Sequence, residues 1–293
     1  MSGASRSLLA CLKQPPIVVA PGVFDALTAS IAADAGFKVV YLSGAGIAYT
    51  KLGRPDIGLV SMTEVADTLT HIRERVDLSI VVDADTGYGN ALNVERTIRV
   101  FERAGATAIQ LEDQTNPKRC GHLDGKELIS TSEMVGKIHA AVDSRRSAET
   151  LVIARTDAVA VEGFDKALER ANAYREAGAD VLFVEAPKTG NDLERIGAAF
   201  GGRIPVMANM VEGGATPVLA ADKLQALGFS LVIFPGGIVR ALARAAQEFY
   251  GNLARDGTSD AFRNRMFDFN GLNDLLGTST ILERGKRYDG GNR

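Results

Sequence analysis

Apolar residues along this chain fall into eight short, dense runs. They are IVVAPG at 17–22, VVYLSG at 39–44, SIVVDAD at 79–85, AIQLED at 108–113, LVIARTD at 151–157, VLFVEA at 181–186, IPVMAN at 204–209 and LVIFPG at 231–236. The runs are rich in β-branched residues and are apolar almost to their last positions. That is the pattern of strands covered on both faces of a parallel sheet. Between most of them lie stretches with apolar residues three or four apart, such as NVERTIRVFERAGA at 93–106 and FDKALERANAYREAGA at 164–179. These predict amphipathic helices, and several close on Ala-Gly or Leu-Gly, a helix stop signal. Eight such β/α units predict an α/β fold, the (β/α)8 TIM barrel. An open doubly wound sheet is the alternative, but APGVFDA after the first run lacks the G-x-G-x-x-G of a nucleotide-binding turn.

Two stretches break the rhythm. Residues 45–65 predict a long connection after the second strand, and residues 238–276 predict a helical tail. Neither is of low complexity, so residues 1–293 read as one barrel domain with a helical C-terminal extension over 238–293.

Composition narrows the function classes. Apolar residues make up 46% and charged residues 24%, with a net charge of −3, as in soluble globular proteins. There is no basic surface for nucleic acid, and no apolar run approaches the ~20 residues that cross a bilayer. The four-residue apolar run after Arg6 is too short for a secretory core. The two cysteines, Cys11 and Cys120, do not form a disulfide framework, so both read as reduced thiols in a cytoplasmic protein.

In a barrel all strand ends open onto one face. Here they bring Ser43 and Gly44, Asp83 and Asp85, Glu112 and Asp113, Arg155 and Asp157, Glu185, and Asn209 to one mouth. Converging carboxylates repel unless a cation joins them, and oxygen donors favour Mg²⁺, or Mn²⁺, over zinc. Asp83 and Asp85 are two apart, so on a strand they share a face. A lone Asp there would read as a helix or turn cap; the pair with Glu112 reads as a metal site. Arg155 reads either as an interior ion pair with Glu185 or as a fork for a substrate carboxylate. Asn209 can cap a helix, Asp56 can serve a turn, and Tyr41 sits inside a strand as core residues do. NPKRCGHLDG at 116–125 sets Cys120 among Lys118, Arg119 and His122, the setting of a reactive thiol rather than a buried one.

Six motifs in order, VVDADTGYGN, IQLEDQ, PKRCGH, IARTDA, LFVEA and ANMVEGGATP, resemble the isocitrate lyase/phosphoenolpyruvate mutase superfamily over nearly the whole chain. The resemblance implies Mg²⁺ held by Asp83, Asp85 and Glu112, directly or through water, and a 2-oxo acid unit chelated to it. It implies a homotetramer in which C-terminal helices are swapped between subunits. In the superfamily's lyases the cysteine loop is a gate and its cysteine the general acid, which assigns Cys120, with Lys118 and His122 beside it. Tyr41 is then the candidate base. Ser43, Gly44, Ala45, Asp56, Gly121, Arg155, Glu185, Asn209, Met210, Val211, Pro235 and Arg240 are the candidate substrate contacts.

Departures within the superfamily point to one substrate class. Leu123 and Phe269 stand where methylisocitrate lyases carry arginines, and Pro235 stands where oxaloacetate hydrolases carry a serine. What remains is a 2-hydroxy dicarboxylate of the 2,3-dimethylmalate type, cleaved to pyruvate and propionate. Arg240 keeps a tricarboxylate, 2-methylisocitrate, as the alternative. Oxaloacetate hydrolase, phosphonomutase and a non-catalytic dicarboxylate-binding barrel are the remaining readings.

Overall fold

A computed structural model describes residues 7–289. Eight parallel strands close into a barrel in chain order, β1 to β8. They are β1 (Val18–Val23), β2 (Val39–Leu42), β3 (Ser79–Asp83), β4 (Ala108–Glu112), β5 (Leu151–Thr156), β6 (Val181–Val184), β7 (Val206–Asn209) and β8 (Leu231–Phe234). Every run expected to form a strand does so, and the open-sheet alternative is excluded by the pairing of β1 with β8, Val18 opposite Leu231 and Pro21 opposite Phe234.

Alternation along each strand divides the core in two. Val39 and Tyr41, Val81, Ala108, Leu151 and Ile153, Val181 and Phe183, Met207, and Leu231 and Ile233 pack inside the barrel. Leu8 and Leu12, from the helix Leu8–Leu12, join that interior cluster. The alternate positions, such as Val40, Leu42, Ile80, Val82, Ile109 and Leu111, face the surrounding helices. Above the apolar layers the same inward register delivers Asp83, Glu112 and Arg155, so the functional mouth continues the core by the same periodicity.

Local signals set the helix boundaries. Ser61 and Glu64 form a reciprocal capping box at the start of Met62–Arg75, and Asn90 and Asn93 do so at Ala91–Ala104, which ends on left-handed Gly105. The 45–65 stretch is not the long loop expected. Ser43 caps a short helix, Gly44–Ile47, which runs into a π-helical turn, Ala48–Leu52, before Gly53 stops it. Its Gly-Ala-Gly-Ile-Ala sequence is compact enough to turn tightly beside the barrel mouth, where helical periodicity is too short to read.

Two close approaches need glycine. A Cβ on Gly22 would stand 2.2 Å from the carbonyl oxygen of Pro235, where β1 meets the chain beyond β8. One on Gly197, in the helix Gly190–Phe200, would stand 1.7 Å from the carbonyl oxygen of Leu227.

The chain divides into two compact units, Met1–Val239 and Arg240–Arg293. In the second unit Phe249 meets Phe262 edge-on at 5.5 Å, and Arg265 pairs with Glu248 at 2.5 Å. Its helices Phe269–Leu276 and Thr278–Lys286 leave Phe269, Leu272, Leu276, Ile281 and Leu282 exposed. Among the described residues no helix is long and apolar enough to cross a membrane.

Gly197→Ala drives a methyl group into backbone that cannot yield by rotating a side chain. It should lower unfolding free energy by about 1–3 kcal/mol, the ordinary cost of overpacking. Urea unfolding measures this, and a variant as stable as the parent would show that the helix shifts without penalty.

Candidate active site

The mouth is built from ion pairs. Arg155, at the end of β5, lays its Nε 2.8 Å from Asp157 Oδ2 and its Nη2 3.0 Å from Asp157 Oδ1. Its Nη1 stands 3.3 Å from Glu112 Oε2 and its Nε 3.7 Å from Glu185 Oε2, with the guanidinium over the Phe183 ring at 5.3 Å. Asn209 donates to both oxygens of Glu185, at 3.3 and 3.2 Å. Both readings of Arg155 therefore meet: it is an interior ion pair, and it holds its fork at the mouth.

Glu185 is buried, which favours the neutral acid, yet Arg155 first, then His122 and Asn209, outweigh that and hold its pKa down to about 2. His122 Nδ1 accepts from the backbone N–H of Ala215 at 3.1 Å, which places the ring proton on Nε2, 3.2 Å from Glu185 Oε1. The contact lies within ion-pair reach but off the line of a hydrogen bond.

Asp83 and Asp85 reach the mouth by different routes. β3 ends at Asp83, and Asp85 follows in left-handed backbone at φ 47°, as does Tyr88 at φ 60°. Strand alternation thus brings in Asp83 alone, and a strained turn brings in Asp85. Its backbone N–H donates to Asp83 Oδ1 at 3.1 Å. Lys118 lies buried between Asp56, at 2.5 Å, and Asp85, at 2.8 Å. It is an ion-pair partner of two carboxylates rather than a cation poised at the thiol.

Tyr41 donates to Gln110 Oε1 at 2.9 Å, and Gln110 donates to Asp83 Oδ1 at 3.2 Å. Burial, then the charge of Asp83, pushes the phenol pKa well up. The geometry makes Tyr41 a hydrogen-bond donor at rest, against the expectation of a base.

The cysteine loop lies docked on this cluster. Gln114 clasps the backbone of Arg119 from both sides, through Nε2 to the carbonyl at 2.8 Å and Oε1 from the N–H at 2.9 Å. Cys120 donates its backbone N–H to the Asp56 carbonyl at 3.1 Å. Burial raises the Cys120 thiol pKa, so the group stays protonated and the cations around it do not make it a thiolate. Gly121 is a contact point: a Cβ there would stand 2.4 Å from Arg155 Nη2 and 2.6 Å from Glu185 Cγ.

The carboxylates do not form the three-ligand cluster expected of Asp83, Asp85 and Glu112. Among the described residues no three such side chains converge as a ready ligand shell. Lys118 pairs with Asp85 and Arg155 with Glu112 instead. The donor set still fits a hard cation. Glu112 Oε1 is buried without a hydrogen-bond partner, and Asp85 Oδ1 meets the Lys118 ammonium alone, at 2.8 Å. Gly44 lacks a side chain where a Cβ would stand 3.4 Å from Asp85 Oδ1 and 3.5 Å from Asp83 Oδ2. A Mg²⁺ taking one or two of these oxygens and completing its octahedron with water suits such a site.

The other expected contacts divide. Ser43 caps Gly46 N–H at 3.2 Å, Ala45 is half-buried beside it, and Met210 and Val211 are buried. The Pro235 backbone lies against Gly22. Arg240 opens the second unit and is exposed. Leu123 is 46% exposed, and Phe269, in the second unit, is 83% exposed. Asp113 leaves the mouth altogether. It faces the helices and accepts from Thr156 at 2.7 Å, Tyr174 at 2.7 Å and the Asp157 N–H at 2.9 Å. Gln110, Gln114 and Lys126 are the residues that sequence reasoning missed. A glutamine inside the apolar run AIQLED was the one available signal.

The sequence pattern of the phosphoenolpyruvate phosphomutase family matches residues 8–254. The chain is 44% identical to the 2,3-dimethylmalate lyase of Eubacterium barkeri, over 97% of this chain and 96% of that one. It is also 44% identical to the 2-methylisocitrate lyase of Aeropyrum pernix, over 91% of this chain and 85% of that one. Among solved structures, a 2,3-dimethylmalate lyase described as a PEP mutase/isocitrate lyase superfamily member superposes with a TM-score of 0.91 at 34% identity, covering 100% of this chain and 99% of that one. A phosphonopyruvate hydrolase in complex with oxalate and Mg²⁺ superposes with a TM-score of 0.86 at 30% identity, covering 97% and 98%. With a closed barrel, a carboxylate-lined mouth and a cysteine loop docked over it, the chain belongs to the phosphoenolpyruvate phosphomutase family.

Proposed function

We propose that this protein is a Mg²⁺-dependent carbon–carbon lyase that cleaves a 2-hydroxy dicarboxylate of the 2,3-dimethylmalate type to pyruvate and propionate. The observation that carries this reading is the Cys120 loop seated on Arg155 and Glu185 at Gly121, with burial raising the pKa of the thiol beside it. As the C2–C3 bond breaks, the 2-hydroxyl becomes the pyruvate carbonyl and its proton passes to a carboxylate of the mouth, while the electron pair left on C3 needs a proton donor. A carboxylate of the substrate takes the Arg155 fork, displacing its ion pair with Glu112 while Asp157 keeps its hold. Glu185 stays ionised and keeps Arg155, His122 and Asn209 in place. Asn209 Oδ1, buried and without a partner, offers an acceptor to the substrate. Cys120 then delivers its proton to C3. Mg²⁺, when bound near Asp83, Asp85 and Glu112, would supply the positive charge that the 2-oxo acid product and the transition state require.

The Aeropyrum pernix relative supports a second reading, cleavage of 2-methylisocitrate. A panel of 2,3-dimethylmalate, 2-methylisocitrate, isocitrate, citramalate and oxaloacetate with Mg²⁺, assayed for 2-oxo acid release, separates the two. The expected result is the highest kcat/KM for dimethylmalate; a higher value for methylisocitrate would promote the alternative. Cys120→Ser should lower kcat on the preferred substrate by about two to four orders of magnitude, the scale of a lost general acid. Near-normal turnover would remove the thiol from the chemistry.

The metal assignment makes a pH prediction. Burial raises the Asp85 pKa to about 7; Lys118 opposes the shift, and Asp83 and Asp56 add to it. Folded Asp85 thus holds its proton more tightly than the unfolded chain does. Its contribution to stability is present below the ordinary carboxylate range and is lost as pH rises through about 7. Mg²⁺ takes the place of that proton. The Tm gained on exchanging EDTA for Mg²⁺ should therefore grow from about pH 5 to about pH 8. A gain that shrinks with rising pH would be incompatible with a metal at Asp85.

We also propose a cytoplasmic homotetramer with swapped C-terminal helices, supported by the apolar residues left exposed on Phe269–Leu276 and Thr278–Lys286. Sedimentation velocity should give a tetramer. A monomer at micromolar concentration would refute this.

A further inference from the structure

Lys126 lies outside every motif discussed above, yet it is one of the most buried cations in the chain, with 2% of its side chain exposed. It stands on the descending arm of the cysteine loop, six residues past Cys120. Its Nζ donates to the backbone carbonyl of Gly121, the residue between Cys120 and His122. The same Nζ donates to Asp157 Oδ1 at 3.2 Å. That oxygen also accepts from Arg155 Nη2 at 3.0 Å, while Oδ2 accepts from Arg155 Nε at 2.8 Å. Asp157 is itself fixed: it is fully buried, and its N–H donates to Asp113 Oδ1. One carboxylate therefore orients the substrate-binding guanidinium and, through Lys126, the peptide unit beside the thiol.

A lysine here is not needed to neutralise Asp157, since Arg155 already contacts both of its oxygens. What Lys126 adds is a bond to the loop. Gly121 has no side chain to hold it and lies directly on Arg155 and Glu185. Without a polar tether its carbonyl would be buried against a carboxylate-rich wall. Lys126 supplies that tether from the one direction in which a fixed anion waits.

We propose that Lys126 is a positioning residue for catalysis, holding Cys120 over the substrate by linking the Gly121 carbonyl to the Asp157–Arg155 pair. This rests on the reading of Cys120 as proton donor, but the link itself can be tested without turnover. Lys126→Met keeps the length of the side chain and removes both bonds. The thiols are alkylated with iodoacetamide, and peptide mass spectrometry separates Cys120 from Cys11, which serves as an internal control. In the parent, Mg²⁺ with pyruvate should slow alkylation of Cys120 relative to Cys11. In Lys126→Met, Cys120 should react several-fold faster, with little protection by pyruvate, although pyruvate affinity by calorimetry stays close to the parent value. Turnover should fall about a hundred-fold, the scale of an ångström-level misplacement, with KM nearly unchanged. Lys126→Arg, which keeps charge and donors, should recover part of the protection. If Lys126→Met fails to fold, Lys126→Gln carries the same expectation. An unchanged ratio of Cys120 to Cys11 alkylation would overturn the proposal. A changed ratio together with a fully active Cys120→Ser would instead leave the tether standing and remove the proton-donor role.

Discussion

The site depends on confining more carboxylates than a buried mouth can hold without cations. Asp56, Asp83, Asp85, Glu112, Asp157 and Glu185 are each less than a tenth exposed. Removing such charges from water is costly unless each finds a partner. Arg155, Lys118 and Lys126 are the partners of all but Asp83, which accepts from Gln110 and the Asp85 N–H instead. The fit is incomplete at Asp85 and Glu112, whose pKa values burial pushes up. That residual negative potential is what a divalent cation would relieve. The same surplus argues against a purely structural role for the cluster, since a stable core would replace these groups with apolar ones.

The arrangement also explains how acid and base assignments separate within a few ångströms. Glu185 and Glu112 are both buried glutamates near Arg155, yet one is held ionised and the other pushed toward neutrality. Glu185 gains His122 and Asn209 in addition to Arg155, whereas Glu112 faces Asp157 and Asp85. Cys120 joins the neutral side by burial, against a hydrogen bond from the His122 backbone. Protonation state here follows the number of donors each group meets, not its intrinsic acidity.

Most of the barrel was legible because buried parallel strands leave uninterrupted apolar runs, and all eight formed where those runs lie. The inward carboxylates Asp83 and Glu112 were legible by alternation. Asp85 was assigned to the mouth by an argument that holds only on a strand, and it arrives through a left-handed turn instead. Asp113 was misplaced because one residue past Glu112 the pleat points outward, to Arg170 and Tyr174. The short helices after β2 were hidden in a glycine-rich stretch too brief to show a period. Lys126 and Gln114 could not be read at all. Their roles come from contacts across a folded loop, and a lysine or glutamine in a polar segment has the appearance of any solvated residue.

The closure between Gly22 and Pro235 bears on how the chain reaches this state. The first and last strands meet edge to edge, Val18 opposite Leu231. During synthesis β1 emerges long before β8, so one side of it has no partner until nearly the whole barrel sequence has left the ribosome. An unpaired strand edge of this kind invites pairing with other chains. Val18 donates its N–H to the Ser230 carbonyl across the seam, so Pro21, at the alternate register, turns its missing donor toward β2 and leaves the β8-facing donors of β1 intact. Gly22 beside it lets the late-arriving carbonyl settle close against the strand. The waiting edge therefore keeps its full set of donors for β8, and the barrel's last strand is also what removes its most exposed pairing surface.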